Sequence, residues 1–177
     1  MSCEAPDYAE ALTAWRVWRV GRDDEGIVLR SVIQATCWPR REALAAECLR
    51  RPFWFRRRRA HPVADAACMC GVYAARFEEL GPYLLDDMLF GSRRVVGEVA
   101  MWGSVVECER GFRASYAYPK RIFVPSDADG RRGCVEELAA SLREYGVPVE
   151  LLPVRHADAA RVLAQFPDAS VQMEGSG

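Results

Sequence analysis

Side chains able to bind a metal ion are concentrated in one part of the sequence. Between positions 37 and 70 lie Cys37, Cys48, His61, Cys68 and Cys70, which are four of the seven cysteines and one of the two histidines. Three thiolates and one imidazole are a common ligand set of structural zinc sites. The sequence therefore predicts a zinc site on Cys48, His61, Cys68 and Cys70, with Cys37 as the substitute for Cys48.

The pair Cys68-Met69-Cys70 is followed by Gly71, which permits the turn that two ligands so close in sequence need. A helix predicted to begin after Gly71 would favour the thiolate form through its dipole. Two other interpretations stay open. The cysteines would be small buried residues of the core, or Cys68 or Cys70 would be a nucleophile with His61 as its base.

A second segment, between Cys48 and His61, combines arginine with aromatic residues and contains no acid. Guanidinium groups bind phosphates and carboxylates, and aromatic rings stack on unpaired bases. The residues that we predict to contact a partner are Arg50, Arg51, Trp54, Arg56, Arg57, Arg58 and Arg59. The last four would also offset the charge of −1 of a zinc site with three thiolates. The alternative is a solvated basic loop whose aromatic rings pack in the core.

The overall charge bears on the kind of partner. The chain has 177 residues with 24 basic and 25 acidic side chains, for a net charge of −1. A dedicated nucleic-acid binder usually has a basic excess over the whole domain. An acidic face of another protein is therefore slightly favoured over nucleic acid. The odd number of cysteines, the absence of a secretion signal and the absence of a long apolar run indicate a reducing, cytoplasmic location.

A third candidate surface is aromatic. Trp102, Phe112, Tyr116 and Tyr118 fall on two neighbouring predicted strands and would line a ligand pocket if they shared the inner face of a curved sheet. Core packing explains the same pattern. With Glu98 or Glu107 as acid or base, such a pocket would make the protein an enzyme, which is the alternative to a zinc-stabilised binding or regulatory protein. No glycine-rich phosphate loop or common hydrolase motif supports catalysis.

Hydrophobic periodicity predicts the elements that position these residues. Strands are predicted at 14–20, 27–33, 95–109, 112–118, 122–124 and 147–154, and helices at 39–49, 73–80, 83–90, 134–145 and 158–166. Gly97 and Gly103 interrupt the longest strand and predict bulges or sharp bends there.

These elements predict an α+β fold. Its β-rich body, residues 1–125, is a curved antiparallel sheet or a partly open small barrel. A helical, cysteine-bearing insertion at about 37–91 interrupts this body and carries the metal site. Residues 126–166 extend the same domain as the end of a strand–helix–strand–helix tail, and residues 167–177 have no pattern and are predicted to be disordered.

Overall fold

A mixed eight-stranded β-sheet dominates the described part of the protein, and the fold is broadly α+β. The computed structural model describes residues 11–34, 36–48, 61–84, 93–126 and 132–152. The strands are β1 (Leu12–Asp23), β2 (Gly26–Ser31), β3 (Cys37–Trp38), β4 (Leu44–Ala45), β5 (Val72–Ala75), β6 (Arg94–Cys108), β7 (Gly111–Pro125) and β8 (Val149–Leu152). The α-helices are α1 (Gly81–Leu84) and α2 (Arg132–Leu142), and 3₁₀ turns span Phe77–Glu79 and Arg143–Tyr145.

Four of the strands pair with one another to form a partial ring. Strands β6 and β7 form a long hairpin, β1 pairs with the free edge of β6, and β5 pairs with the far edge of β7. One bridge, Trp15 opposite Ala75, joins β1 to β5. The pairs among β1 to β7 are antiparallel, and β8, which belongs to the predicted C-terminal extension, pairs with β7 in parallel and makes the sheet mixed.

Several predicted elements are confirmed. The hairpin β1–β2, the long strand β6, helix α2 and strand β8 occur where periodicity places them. The register of β6 against β7 shifts after Glu98 and again between Trp102 and Val105, beside the two glycines expected to bend the strand. At Gly97 a Cβ atom would lie 2.0 Å from the carbonyl oxygen of Arg121, so only glycine allows the strands to approach this closely.

Two helices predicted in the cysteine-bearing insertion, at 39–49 and 73–80, are wrong. Residues 39–48 contain no helix: Arg41 has a φ of +59°, which a right-handed helix excludes, and Leu44 and Ala45 pair with β7 instead. The segment predicted as a helix at 73–80 is a strand and then a 3₁₀ turn. The apparent helical spacing of its apolar residues arises because two short elements follow each other.

Two apolar clusters fill the structure. The larger one lies between the sheet and α2 and includes Trp18, Trp38 and Tyr145, all of which are fully buried. The Tyr145 hydroxyl accepts a hydrogen bond from the Leu29 amide at 2.9 Å and donates one to the Trp38 carbonyl at 2.8 Å. It therefore bridges two residues that face each other on β2 and β3. The smaller cluster includes Trp15, on the opposite face of β1.

Some predictions fall on residues that the structure does not describe. They are the helix at 158–166, the tail at 167–177, and all but the first two residues of the helix at 83–90. Among the described helices, the longest is α2, and none is long and apolar enough to cross a membrane.

Candidate metal centre

Four of the five predicted ligands converge at one point. The thiol sulfurs of Cys48, Cys68 and Cys70 and a ring nitrogen of His61 all lie within 4.8 Å of one another. The Sγ atom of Cys48 is 3.4 Å from the Nε2 atom of His61 and 3.8 Å from the Sγ atom of Cys68. The sulfur–sulfur distance is far beyond the roughly 2.0 Å of a disulfide bond. The cluster is close enough to bind a metal ion.

Strand β7 positions both segments that carry the ligands. Its residues 111–114 pair with β5, which begins two residues after Cys70, and its residues 116–117 pair with β4, which precedes Cys48. Between the two pairings, the Ser115 carbonyl accepts a hydrogen bond from the Ala46 amide, and the Ser115 hydroxyl donates one to the Val63 carbonyl. One short stretch of a central strand thus brings distant ligands together.

The loop between His61 and Cys68 is shaped by its own polar groups. The Asp65 carboxylate accepts a hydrogen bond from the Ala67 amide at 2.7 Å, and the Asp65 carbonyl accepts one from the Cys68 amide at 3.0 Å. Such a turn is typical of aspartate. Ala64, with a φ of +63°, reverses the chain just before it. The turn delivers Cys68 to the cluster.

Burial alternates along the Cys-x-Cys pair. Cys68 and Cys70 are buried, whereas the Met69 side chain between them is 76% exposed, which is the alternation of a strand. Both sulfurs therefore lie on the same side. Gly71, with a φ of +130°, makes the turn that was expected of it. The element that follows is β5, so the prediction that a helix dipole acidifies these thiols is wrong.

The imidazole of His61 is oriented by the backbone. Its Nδ1 atom lies 2.7 Å from the Pro62 carbonyl oxygen, which can only accept a hydrogen bond. The tautomer with its proton on Nδ1 would donate to this carbonyl and would turn the lone pair of Nε2 towards Cys48. A histidine that donates one ring N–H to a carbonyl while the other nitrogen faces the ion is the usual arrangement of metal ligands.

Arg113 supports this cluster and was not predicted from the sequence. Its side chain is buried, and one guanidinium nitrogen donates hydrogen bonds to the carbonyls of Asp65, Cys68 and Cys70. The other terminal nitrogen is 3.4 Å from the Ala66 carbonyl. In the sequence, Arg113 occupies a polar position of an alternating strand, which indicates an exposed side chain. No signal in one sequence marks it as buried.

The remaining cysteines of the described residues lie elsewhere. Cys37 is exposed on β3, opposite Arg30, so the structure selects Cys48 and not Cys37 for the cluster. Cys134 is exposed on α2, and Cys108 is half-buried at the end of β6. The arginine and aromatic residues predicted to contact a partner, at positions 50–59, lie outside the described residues.

The four predicted pocket residues have different environments. Trp102 and Tyr116 stack with ring centroids 6.1 Å apart, and Tyr116 is 44% exposed. Phe112 belongs to the buried core instead. Tyr118 packs against that core, and its hydroxyl donates a hydrogen bond to the Tyr145 carbonyl. Of the two predicted acid–base residues, Glu98 is buried on β6 and Glu107 forms an ion pair with Arg76.

Comparison of the chain with models of protein families, with curated proteins and with solved structures finds no match. The observation about this site is thus its geometry, in which Cys48, His61, Cys68 and Cys70 are close enough to bind a metal ion.

Proposed function

We propose that the protein binds one zinc ion through Cys48, His61, Cys68 and Cys70, and that the ion stabilises a surface for a macromolecular partner. The observation that carries the proposal is the convergence of three thiols and one imidazole within 4.8 Å. Thiolate and imidazole are the ligands that zinc prefers in structural sites. Because the thiols must stay reduced, we place the protein in the cytoplasm.

The distances support a tetrahedral ion. With Zn–S bonds of about 2.3 Å and a Zn–N bond of about 2.0 Å, two sulfurs lie about 3.8 Å apart, and a sulfur and a nitrogen about 3.5 Å apart. The Cys48–Cys68 and Cys48–His61 distances are 3.8 Å and 3.4 Å. Separations of up to 4.8 Å between ligand atoms would contract by up to about 1 Å on binding.

The ligand set favours a structural ion over a catalytic one. A catalytic zinc ion usually keeps one coordination position for water or substrate, whereas four protein ligands fill a tetrahedron. Cys68 and Cys70 are also buried, which limits access to the ion from their side. A zinc ion in this cluster would fix the path of the chain and would not activate a substrate.

The partner surface follows from the order of the ligands along the chain. Cys48 and His61 stand at the two ends of the arginine and aromatic segment, and their side chains are 3.4 Å apart. An ion bound to both would hold the ends of that segment together. We propose that Arg50, Arg51, Trp54 and Arg56 to Arg59 then contact the acidic face of a protein, with nucleic acid as the alternative, because the net charge of −1 disfavours a dedicated nucleic-acid binder.

The zinc ion is tested by native mass spectrometry and elemental analysis of protein expressed with ample zinc. We expect one zinc per chain, and its removal by a chelator should free the cysteines to react with a thiol reagent. Protein that is folded, carries no zinc and fails to bind added zinc would refute the proposal.

The partner is tested by fluorescence anisotropy with three labelled probes: a glutamate-rich peptide, single-stranded DNA and duplex DNA. We expect the peptide to bind best, and replacement of Arg56 to Arg59 by glutamine to abolish binding. A matched variant replaces the exposed arginines Arg22, Arg41, Arg110 and Arg143 by glutamine, which changes the net charge equally. Equal losses in both variants would mean that only overall charge matters. Tighter binding of single-stranded DNA that depends on Trp54 would favour nucleic acid.

One distance supports a second candidate, a thiol enzyme. The 3.4 Å between Cys48 Sγ and His61 Nε2 would also suit a nucleophile and its base. In that case metal-free protein should react with iodoacetamide much faster at Cys48 than at Cys37, and His61→Gln should remove the difference. Similar rates at both cysteines would exclude this candidate.

A further inference from the structure

We propose that Arg113 is the counter-charge and positioning residue of the metal centre, an inference that depends on the proposed binding of zinc. Three thiolates and one Zn²⁺ carry a net charge of −1. The guanidinium of Arg113, on β7 behind the loop of residues 65–70, would neutralise that charge from within the fold.

The burial of Arg113 supports this assignment. Its exposed fraction is 6%, and within the described part of the chain no carboxylate forms an ion pair with it. Buried charges are normally paired, because a lone charge in a poorly solvated interior is strongly unfavourable. Its hydrogen-bond partners are neutral carbonyls, so a negative group nearby would further stabilise its charge. The metal cluster is adjacent, since two of those carbonyls belong to Cys68 and Cys70.

The hydrogen bonds also position the ligands. Arg113 binds the carbonyls of both residues of the Cys-x-Cys pair, and it binds the carbonyls of Asp65 and Ala66 at the preceding turn. The planar fork of a guanidinium has fixed donor directions, which an ammonium group lacks. The side chain therefore sets the path of the loop as well as its charge.

The location of Arg113 makes this support rigid. It pairs with Tyr73 of β5 on one side and with Val106 of β6 on the other, so its backbone lies inside the sheet. The Cβ atom that Gly71 lacks would lie 3.1 Å from the Cβ atom of Arg113, which shows how closely the loop approaches it. A support inside the sheet does not depend on residues 56–59, which were expected to offset the same charge.

The test compares Arg113→Met and Arg113→Lys with Arg121→Met, a control on the same strand whose side chain forms an ion pair with Glu150. Zinc affinity is measured by competition with a chelating dye. Loss of a residue that supports metal ligands typically weakens binding 10- to 100-fold, and we expect this for Arg113→Met. Arg113→Lys should lose less, because it keeps the charge but not the fork. The control should bind zinc as the wild type does.

Cobalt substitution gives a readout that a purely structural role would not change. With the same four ligands, removal of a nearby positive charge makes the thiolates easier to oxidise. The sulfur-to-cobalt charge-transfer band should therefore move to longer wavelength in Arg113→Met and stay in place in Arg113→Lys.

The outcomes separate this inference from the zinc proposal. A wild-type protein that binds no zinc refutes the zinc proposal itself. Zinc binding by the wild type with an unchanged affinity in Arg113→Met overturns the role of Arg113. If Arg113→Met does not fold, Arg113→Lys still tests both roles. A zinc affinity equal to that of the wild type in Arg113→Lys would overturn the positioning role. A shifted charge-transfer band in Arg113→Lys would overturn the counter-charge role.

Discussion

The backbone of Trp15 pairs with the backbone of Ala75 at the one described bridge between β1 and β5. Strand β5 begins two residues after Cys70 and has only four residues, all of which pair with β7. The ring of strands is thus closed by its shortest member, and that member is attached to the candidate metal centre. Metal binding and closure of the sheet should therefore be coupled.

Removal of the metal should loosen β5 before the rest of the sheet. A metal clip that closes a chain segment of about 15 residues contributes roughly 3 kcal/mol, which corresponds to about a 100-fold change in local opening. In chelator-treated protein we expect the amides of β5 to exchange with deuterium about 100-fold faster than in the zinc-bound protein. Hydrogen–deuterium exchange with mass spectrometry measures it.

The control for this experiment lies within the same molecule. Helix α2 carries none of the four ligands, and its apolar residues belong to the larger apolar cluster, so its exchange should stay unchanged. Equal acceleration of β5 and α2 would show that the metal supports the whole core. An unchanged β5 would show that the ring closes without it.

Replacement of both Cys68 and Cys70 by serine should abolish zinc binding. Loss of two direct ligands should weaken affinity by more than the 10- to 100-fold expected for a supporting residue. A matched variant with Cys108→Ser and Cys134→Ser removes two thiols outside the cluster and should keep one zinc per chain. Elemental analysis of both variants checks this, and zinc retained by the first variant would contradict the ligand assignment.

Gly71→Ala should weaken both stability and metal binding. Its φ of +130° is unfavourable for alanine, and the new Cβ atom would approach Arg113 to 3.1 Å. Strain of this kind costs about 1–3 kcal/mol. Gly26→Ala is the matched control, because Gly26 has a φ of +128° and no atom within 4 Å of the added carbon. Both variants should melt at lower temperature, and only Gly71→Ala should bind zinc more weakly.

Tyr145→Phe should destabilise the fold without affecting the metal. The change leaves the Leu29 amide and the Trp38 carbonyl without the hydroxyl that bridges them. A buried group that loses its partner costs about 1–3 kcal/mol. Chemical denaturation should show a loss of this size, whereas the zinc content should equal that of the wild type. Unchanged stability would mean that β2 and β3 bond directly once the hydroxyl is absent.

The same tyrosine predicts a dependence on alkaline pH. Burial raises the pKa of Tyr145 to about 12, whereas the unfolded chain has the ordinary value near 10. The unfolded state therefore loses this proton first as the pH rises. The contribution of Tyr145 to stability should be complete below pH 10 and decrease between pH 10 and 12. Chemical denaturation at pH 8 and pH 11 measures this effect. The free energy of unfolding should decrease less between these two pH values in Tyr145→Phe than in the wild type.

Periodicity identifies the long elements of this fold better than its short ones. Strands β1 and β6 and helix α2 are long enough for their pattern to repeat, and their positions are predicted correctly. Strand β4 has two residues and β5 has four, so neither repeats a pattern often enough to be distinguished from a helix. Both strands form because they pair with β7, and pairing between residues 36 or more positions apart has no local signature.

The sequence also predicts one part of the candidate site, the ligands, and not the other part, Arg113. The ligands are rare residue types, so clustering of Cys48, His61, Cys68 and Cys70 in the sequence predicts the cluster that the structure contains. Arginine is abundant in this chain, so the residue type alone does not identify Arg113 as part of the site. The burial of Arg113 depends on a loop 45 residues earlier that places its carbonyls over the strand.

The contact between Leu29 and Tyr145 joins positions 116 residues apart, which sets a constraint on folding during protein synthesis. Ribosomes extend a chain by about 5–20 residues per second, so Tyr145 is added to the chain roughly 6–23 s after Leu29. During that interval the facing strands β2 and β3 lack the group that bridges them. We expect a nascent chain stalled before position 145 to be digested by protease within β2 and β3, and a chain that has emerged beyond position 152 to be protected.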